Sequence, residues 1–207
     1  ANAAGRVIAQ PACADPALAS PLARNARQLF ARFDADDPTA LADARLRAFR
    51  TRVLPTLRRT LESGAGGQTI LYVPAYFDFV RLRGLLADED IPFASLSEYT
   101  SAKSVSRART ALAHRELPLL VYTERAHFFR RHHLRGASHA VLYGLPTYAH
   151  FYLELLSMLE PAPEAAGECT CVALFCRFDV QPLRRLVGDE RAAAMLGGRE
   201  ESYVVAA

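Results

Sequence analysis

A chain of 207 residues, 51% hydrophobic and 23% charged, is long enough to bury a core and too apolar to stay disordered, so one globular domain is the default. Its 25 Lys and Arg stand against 22 Asp and Glu, and a formal net charge of +3 neither demands nor excludes an anionic partner. Lys103 is the only lysine, so nearly all the positive charge is guanidinium, a group suited to bidentate contact with phosphate, although the same usage follows from a GC-rich genome.

Residues 1–37, rich in Ala, Pro and Asp, predict an extended arm or linker with a strand hinted only over Gly5 to Gln10. Residues 38–67 predict a helix and a turn leading into the domain. Asp43 to Thr60 carries Leu46, Phe49, Val53 and Leu57 on one face, Pro55 kinks or shortens the helix, and Ser63 to Gly67 turns. From 68 to 207 short apolar runs alternate with helical segments. Strands are predicted over Thr69 to Val73, Phe93 to Ser97, Leu119 to Thr123, Ala140 to Tyr143, Cys171 to Phe175 and Ser202 to Val205. Helices are predicted over Phe77 to Ala87, Ser104 to Arg115, Tyr148 to Leu159, Val180 to Val187 and Asp189 to Leu196. Runs such as Ile70-Leu71-Tyr72-Val73 suit strands covered on both faces, so the fold class is α/β, a mostly parallel sheet with helices on both faces. Ligands of such sheets meet the loops at the strands' carboxyl ends, here Pro74 to Asp78, Glu98 to Lys103, Glu124 to Arg130 and Gly144 to Thr147.

Several chemistries are missing. There is no Gly-Lys pair for a phosphate-cradling loop, Lys103 has no glycines around it, and Gly64 to Gly67 leads into a strand, as a linker does. No Gly-x-Ser-x-Gly elbow is present. Cys13, Cys169, Cys171 and Cys176 lack metal-ligand spacing and read as buried or free thiols, and His127, His132 and His133 read as solvated, basic histidines; no metal and no cofactor is expected. Without a leader or a run of about eighteen apolar residues, no membrane contact is expected, and a soluble protein of a reducing compartment is. The opening Ala1 points to a piece of a longer polypeptide. Between Gly136 and Met158 there is no arginine at all.

Two basic groups carry the strongest physical content. In the first, Arg125, Arg130, Arg131 and Arg135 alternate with His127, His132 and His133 around Phe128 and Phe129. Guanidinium beside aromatic rings can neutralise a phosphate backbone while stacking on bases, or the arginines form a solvated face over core phenylalanines; spacing leaves both open. The second group, Lys103, Arg107 and Arg109, sits at the start of a helix whose N-terminus favours phosphate.

Three stretches together resemble the digestive organ expansion factor family, DEAD-box-helicase-like proteins of the nucleolar small-subunit processome. They are Tyr72 to Arg83, with Pro74, Tyr76, Phe77, Asp78 and Phe79 at its centre; Glu98-Tyr99-Thr100 with Ser106 to Arg109; and Thr123-Glu124-Arg125-Ala126-His127-Phe128. Arg27 to Phe33, Asp43-Ala44-Arg45 and Leu186 to Ala192 extend the match over roughly residues 27 to 207. Ala75 departs from an expected Ser, and Ala162 to Cys169 reads as a variable loop. The resemblance implies a second RecA-like lobe, with its partner lobe upstream in the same protein. Thr123-Glu124 holds the place of an active lobe's Thr-Asp, Phe128 to Arg131 replaces its Arg-Gly-x-Asp, and Tyr143-Gly144-Leu145-Pro146 stands for its Asp-Leu-Pro. The arginine-finger segment is replaced by the Tyr148 to Leu159 helix, which offers His150 and Glu154. Arginine fingers speed phosphoryl transfer by roughly 10³ to 10⁵, so their loss implies a lobe without hydrolysis. The resemblance further implies a nuclear, nucleolar role in early pre-rRNA cleavage, with pre-rRNA, the box C/D small nucleolar ribonucleoprotein and other processome proteins as partners. The alternatives are the C-terminal lobe of an active ATP-dependent RNA helicase and a protein-docking module.

Overall fold

The computed structural model describes residues 6–8, 26–62, 67–162 and 169–205. Strands β1 (Arg6–Ile8), β2 (Ala26–Arg32), β3 (Gln68–Val73), β4 (Ala94–Leu96), β5 (Leu119–Thr123), β6 (Ala137–Leu142), β7 (Cys169–Phe175) and β8 (Ser202–Val205) form one sheet in the order β1-β8-β2-β7-β6-β3-β5-β4. Every neighbouring pair is parallel except β2 with β8. The expected six strands are all present.

The side-chain period of two in a strand sorts the apolar runs cleanly between the two faces. Ile70, Tyr72, Leu120, Tyr122, Ala140 and Leu142 pack into one core, beneath α4 (Ala102–Ala113), α5 (Glu124–Arg130), α6 (Ala149–Ser157), α7 (Val180–Val187) and α8 (Asp189–Gly197). Leu71, Val73, Leu119, Val121, Val141 and Tyr143 pack into the other, beneath α1 (Leu41–Ala48), α2 (Leu54–Glu62) and α3 (Tyr76–Asp88). The chain therefore leaves β3 towards one face and the adjacent β6 towards the other, which opens a crevice at their carboxyl ends.

Three expectations are corrected. The arm over 1–37 is not an arm at Ala26–Arg32, which pairs in register with all seven residues of β7 and antiparallel with β8. Its inward residues Ala26, Gln28 and Phe30 are buried, and the buried Gln28 amide accepts a 2.7 Å hydrogen bond from the Tyr152 hydroxyl, which makes a polar residue tolerable there. The 38–67 segment does not merely lead into the domain, since Ala48, Phe49, Val53, Leu54 and Leu57 are part of its second core. Pro55 leaves its mark there as a π-helical turn over Phe49–Val53, with the Leu54 N–H reaching back to the Phe49 carbonyl; the wider turn accommodates a proline that cannot donate to the turn before it. Glu124 to Arg130, expected as a loop, is the short helix α5, capped by the Thr123 hydroxyl, which accepts from the Ala126 N–H at 3.2 Å. Residues 1–5 and 9–25 with Cys13, the 63–66 turn and most of the Ala162 to Cys169 loop lie outside the described residues.

Cys169, Cys171 and Cys176 are buried and free, and burial pushes the Cys171 thiol up to about 12 and that of Cys176 to about 11, which suits packing rather than reactivity. No helix among the described residues is long and apolar enough to cross a membrane.

Candidate functional site

The carboxyl edge of the sheet is held together by charge. Arg45 reaches from α1 into the crevice, where its guanidinium lies 3.8 Å from the Asp78 carboxylate at the start of α3 and 3.3 Å from that of Asp179, in the turn after β7. All three side chains are at most 14% exposed. The guanidinium also lies over the rings of Phe33 and Tyr143, and the second Asp179 oxygen accepts the Cys176 N–H at 2.9 Å. Desolvation raises the Asp78 carboxyl above the ordinary aspartate value, with Arg45 pulling the other way. Arg45 thus clasps α1, α3 and the β7 loop together, and Asp78, expected among the signature loops, is its partner on α3.

A second network fills the ends of β3, β5 and β6. The buried Glu124 carboxylate accepts from the Tyr72 hydroxyl and from the Thr147 N–H, each at 2.9 Å. Beside it, His127 is 0% exposed, which overturns the expectation of a solvated, basic histidine. Its Nε2 lies 2.7 Å from Glu154 and its Nδ1 3.2 Å from the Tyr122 hydroxyl. A neutral ring that donates from Nε2 to the carboxylate and accepts at Nδ1 from the phenol satisfies all three groups. Glu154 also binds Arg131, whose guanidinium lies 3.3 Å from His150 and 4.7 Å from the Phe151 ring centre. The arginine-free helix α6 therefore supplies an acceptor, Glu154, which pairs with Arg131. Arg125 is likewise spent: its Nε is 2.8 Å from Glu98, whose other oxygen accepts from the Thr123 hydroxyl at 3.4 Å.

His127 carries a pH signature. Desolvation, partly opposed by Glu154, holds it below the ordinary value of 6.5, and His132 is lowered in the same way. Unfolded histidines take up protons at about 6.5 while these two resist, so the unfolded state binds more protons and stability falls as pH drops below that value. The thermal midpoint is expected to fall between about pH 7 and pH 5.5, and His127→Gln should flatten that fall; an unchanged pH profile in the variant would refute the assignment.

Among the described residues, all eight exposed large apolar side chains follow the carboxyl end of a strand: Tyr76, Phe77 and Val80 after β3, Tyr99 after β4, Phe128 and Phe129 after β5, Tyr148 after β6 and Phe178 after β7. Phe128 and Phe129 are thus not core. Phe128 stacks on Tyr148 at 5.9 Å and meets Phe129 edge-on at 5.2 Å, while Tyr76 meets Tyr99 edge-on at 5.6 Å. Of the other signature residues, Phe79, Thr123 and Pro146 are buried, and Pro74 is half-buried beside Gly144.

The predicted basic groups separate by pairing rather than by exposure: all seven are exposed, but Arg125 and Arg131 each face a carboxylate, while Lys103, Arg107, Arg109, Arg130 and Arg135 face none among the described residues. α4 and the irregular segment 131–135 flank two adjoining grooves of about 230 and 380 Å³ that share Ser106 and Arg109. The first is lined by Arg130, His132, Ser97 and Thr100, the second by His133, Arg135, Thr110 and His114. Arg109 ties the walls by donating to the His133 carbonyl at 3.3 Å, and the buried Leu134 anchors the outer wall. Gly136 closes it: its φ is +91°, and a Cβ there would stand 2.3 Å from the Leu112 carbonyl oxygen, so only glycine fits. The sole carboxylate lining these grooves, Glu98, is committed to Arg125. Cations and hydroxyls along a continuous channel are the elements of a phosphate track.

Comparison with known proteins places these features in a family. In solved structures the chain is similar to the E. coli DEAD-box protein SrmB, with a TM-score of 0.51 at 15% identity over 78% of this chain and 83% of that one, which shows the helicase-like RecA fold and no more. The sequence is 41% identical over 169 residues to the rat U3 small nucleolar RNA-associated protein 25 homolog, covering 81% of this chain and 22% of that protein. It is 34% identical over 177 residues to the Arabidopsis thaliana protein NUCLEOLAR FACTOR 1, covering 86% of this chain and again 22% of the relative. The chain thus spans about a fifth of the length of these relatives. A family model described as Utp25, C-terminal domain, matches residues 20–205, and the chain belongs to that family.

Proposed function

We propose that this chain is a non-catalytic, RNA-helicase-like lobe of a nucleolar ribosome-biogenesis factor. In this reading it works beside an upstream RecA-like lobe of the same protein in the small-subunit processome, and supports early pre-rRNA cleavage and small-subunit rRNA maturation. Its partners are pre-rRNA, the box C/D small nucleolar ribonucleoprotein and neighbouring processome proteins. The relatives' names support the nucleolar and small-nucleolar-RNA association. RNA would lie along the groove between α4 and residues 131–135.

The observation that carries the non-catalytic reading is the pairing of three arginines at the carboxyl edge. Arg45, Arg125 and Arg131 each lie against a carboxylate of this same chain. Catalysis of phosphoryl transfer needs a cation free to meet charge that develops on the phosphate. A guanidinium already neutralised by Asp78, Glu98 or Glu154 has little left to offer.

The test is ATP turnover by the full-length protein with and without RNA. No turnover above the protein-free blank is expected. RNA-stimulated turnover that disappears with Arg130→Ala or Arg131→Ala would overturn the reading in favour of an active ATP-dependent RNA helicase.

A further inference from the structure

Another groove, of about 650 Å³, lies on the face of the sheet opposite α4, between the α1–α2 segment and α3. Between Asp43 and Glu62 the chain carries six arginines and no carboxylate. Arg47, Arg50, Thr51, Leu54, Pro55 and Arg58 line the groove, and their spacing puts them along one helical stripe. At about 1.5 Å per residue the stripe is about 16 Å long, room for about five residues of extended chain. Its order is two guanidiniums, an apolar patch of Leu54 and Pro55, then a third guanidinium. Arg81, on the α3 wall, binds Asp43 at 2.6 Å. Glu89, just past α3, is shared, since its carboxylate binds Arg58 and lies 3.7 Å from Arg50. Arg47 faces no carboxylate among the described residues. Four guanidiniums against two carboxylates leave two positive charges in excess.

We propose that this groove docks an acidic segment of a second protein, in extended form, with Asp and Glu on either side of an apolar residue. The excess charge calls for an anion, and the lining chooses peptide carboxylates over a phosphate backbone. No aromatic ring of the described residues lines the groove, so nucleic acid bases have nothing to stack on. A phosphate backbone also carries a charge at every residue and cannot spare the Asp43 carboxylate, 72% exposed at the rim. A peptide can set carboxylates opposite Arg47, Arg50 and Arg58, where guanidinium accepts them in bidentate fashion, and an apolar side chain opposite Leu54 and Pro55. Docking strands no charge of this chain. An incoming carboxylate can take Arg50 while Arg58 keeps Glu89, whose backbone carbonyl it also holds at 3.1 Å. The proposal rests on neither the RNA groove nor the lack of turnover, and it concerns a face that neither of them uses.

The probe is a fluorescein-labelled synthetic peptide of Asp and Glu with one central Leu-Phe pair, titrated with the full-length protein at about 0.15 M salt, where long-range attraction is screened. Saturable binding is expected, and Arg47→Glu should weaken it by about tenfold and Arg50→Ala by about threefold. Arg47 has no carboxylate to strand and Glu89 keeps Arg58, so both variants should melt as the parent does. Arg59→Glu makes the same charge reversal at an exposed position of α2 that does not line the groove, and should cost less than about twofold. Replacing the peptide's Leu-Phe pair by Ser-Ser should weaken binding about fivefold or more. Equal losses for Arg59→Glu and Arg47→Glu would reduce the contact to unspecific charge attraction and overturn the proposal. So would a Ser-Ser peptide that binds as tightly, an oligouridine of equal charge that loses affinity to the same extent with Arg47→Glu, or no peptide binding to the full-length protein. RNA binding beside α4 and ATP turnover are read with other variants, so each reading can fail alone.

Discussion

Arg45→Ala is expected to be the most damaging single substitution on the carboxyl edge. It strands Asp78 and Asp179 in a site where each side chain is no more than 14% exposed. Removing one partner of a buried ion pair costs about 3–5 kcal/mol, because the carboxylates lose their counter-charge and gain no water. For a domain of this size each kcal/mol lowers the melting temperature by roughly 2–4 °C, so a drop of about 10 °C is expected. The origin of the loss can be checked by pH. Stranded carboxylates escape their cost by binding protons, so the gap between wild type and Arg45→Ala should narrow as pH falls through the carboxylate range. A second variant separates charge from packing: Arg45→Met with Asp78→Asn keeps most of the volume and removes one stranded charge, and should recover part of the loss. A melting temperature within about 2 °C of wild type for Arg45→Ala would show that the clasp is ornamental.

The same residues explain what could be seen in the sequence and what could not. β3 and β5 were legible because Ile70 to Val73 and Leu119 to Tyr122 are unbroken apolar runs, and in the structure every one of those side chains is 0% exposed. α7 was legible because Leu183, Leu186 and Val187 recur at helical spacing beneath an exposed Arg184-Arg185 pair. β2 was hidden because its inward set is Ala26, Gln28 and Phe30, and an alternation through a glutamine is visible only once Tyr152, 124 residues further on, is known to satisfy it. α5 is seven residues long, too short for periodicity, and its one local signal is the Thr123 cap. The site was legible in its residue types and illegible in its pairings. Asp78 and Arg45 both stood in family-like segments, yet nothing local says that they meet each other and Asp179. His127 looked like one more basic residue of a cluster, and only its packing against Phe151 and Glu154 makes it neutral and buried. The Arg-free helix was the clearest absence in the sequence. Its Glu154 turned out to matter as an acceptor that pairs with Arg131 at the surface, a role that no count of missing arginines could supply.

That division of the basic residues sets the second large expected effect. A short single-stranded RNA held by phosphate contacts releases counterions, and the logarithm of its affinity falls with the logarithm of salt at about 0.7 per contact. If the groove holds the backbone, Arg109→Ala, Arg130→Ala and Arg135→Ala combined should flatten that slope by about 2 and weaken binding by the full-length protein roughly 30-fold or more at low salt. Arg125 and Arg131 were as plausible as these three from spacing alone, but they meet Glu98 and Glu154. Their double replacement by Ala should therefore change RNA affinity by less than about threefold and leave the slope within about 0.5, while lowering the melting temperature through the stranded acceptors. Fluorescence anisotropy titrations across a range of salt distinguish the outcomes. Equal losses for both sets of variants would mean that the carboxylates release their arginines on binding, so the aromatic edge and the groove form one surface. No loss for either set would mean that the basic residues never touch RNA and that the lobe binds only protein. A steep, salt-sensitive loss confined to Arg109, Arg130 and Arg135 would place the phosphate track between α4 and the Leu134 wall, with the aromatic edge outside it.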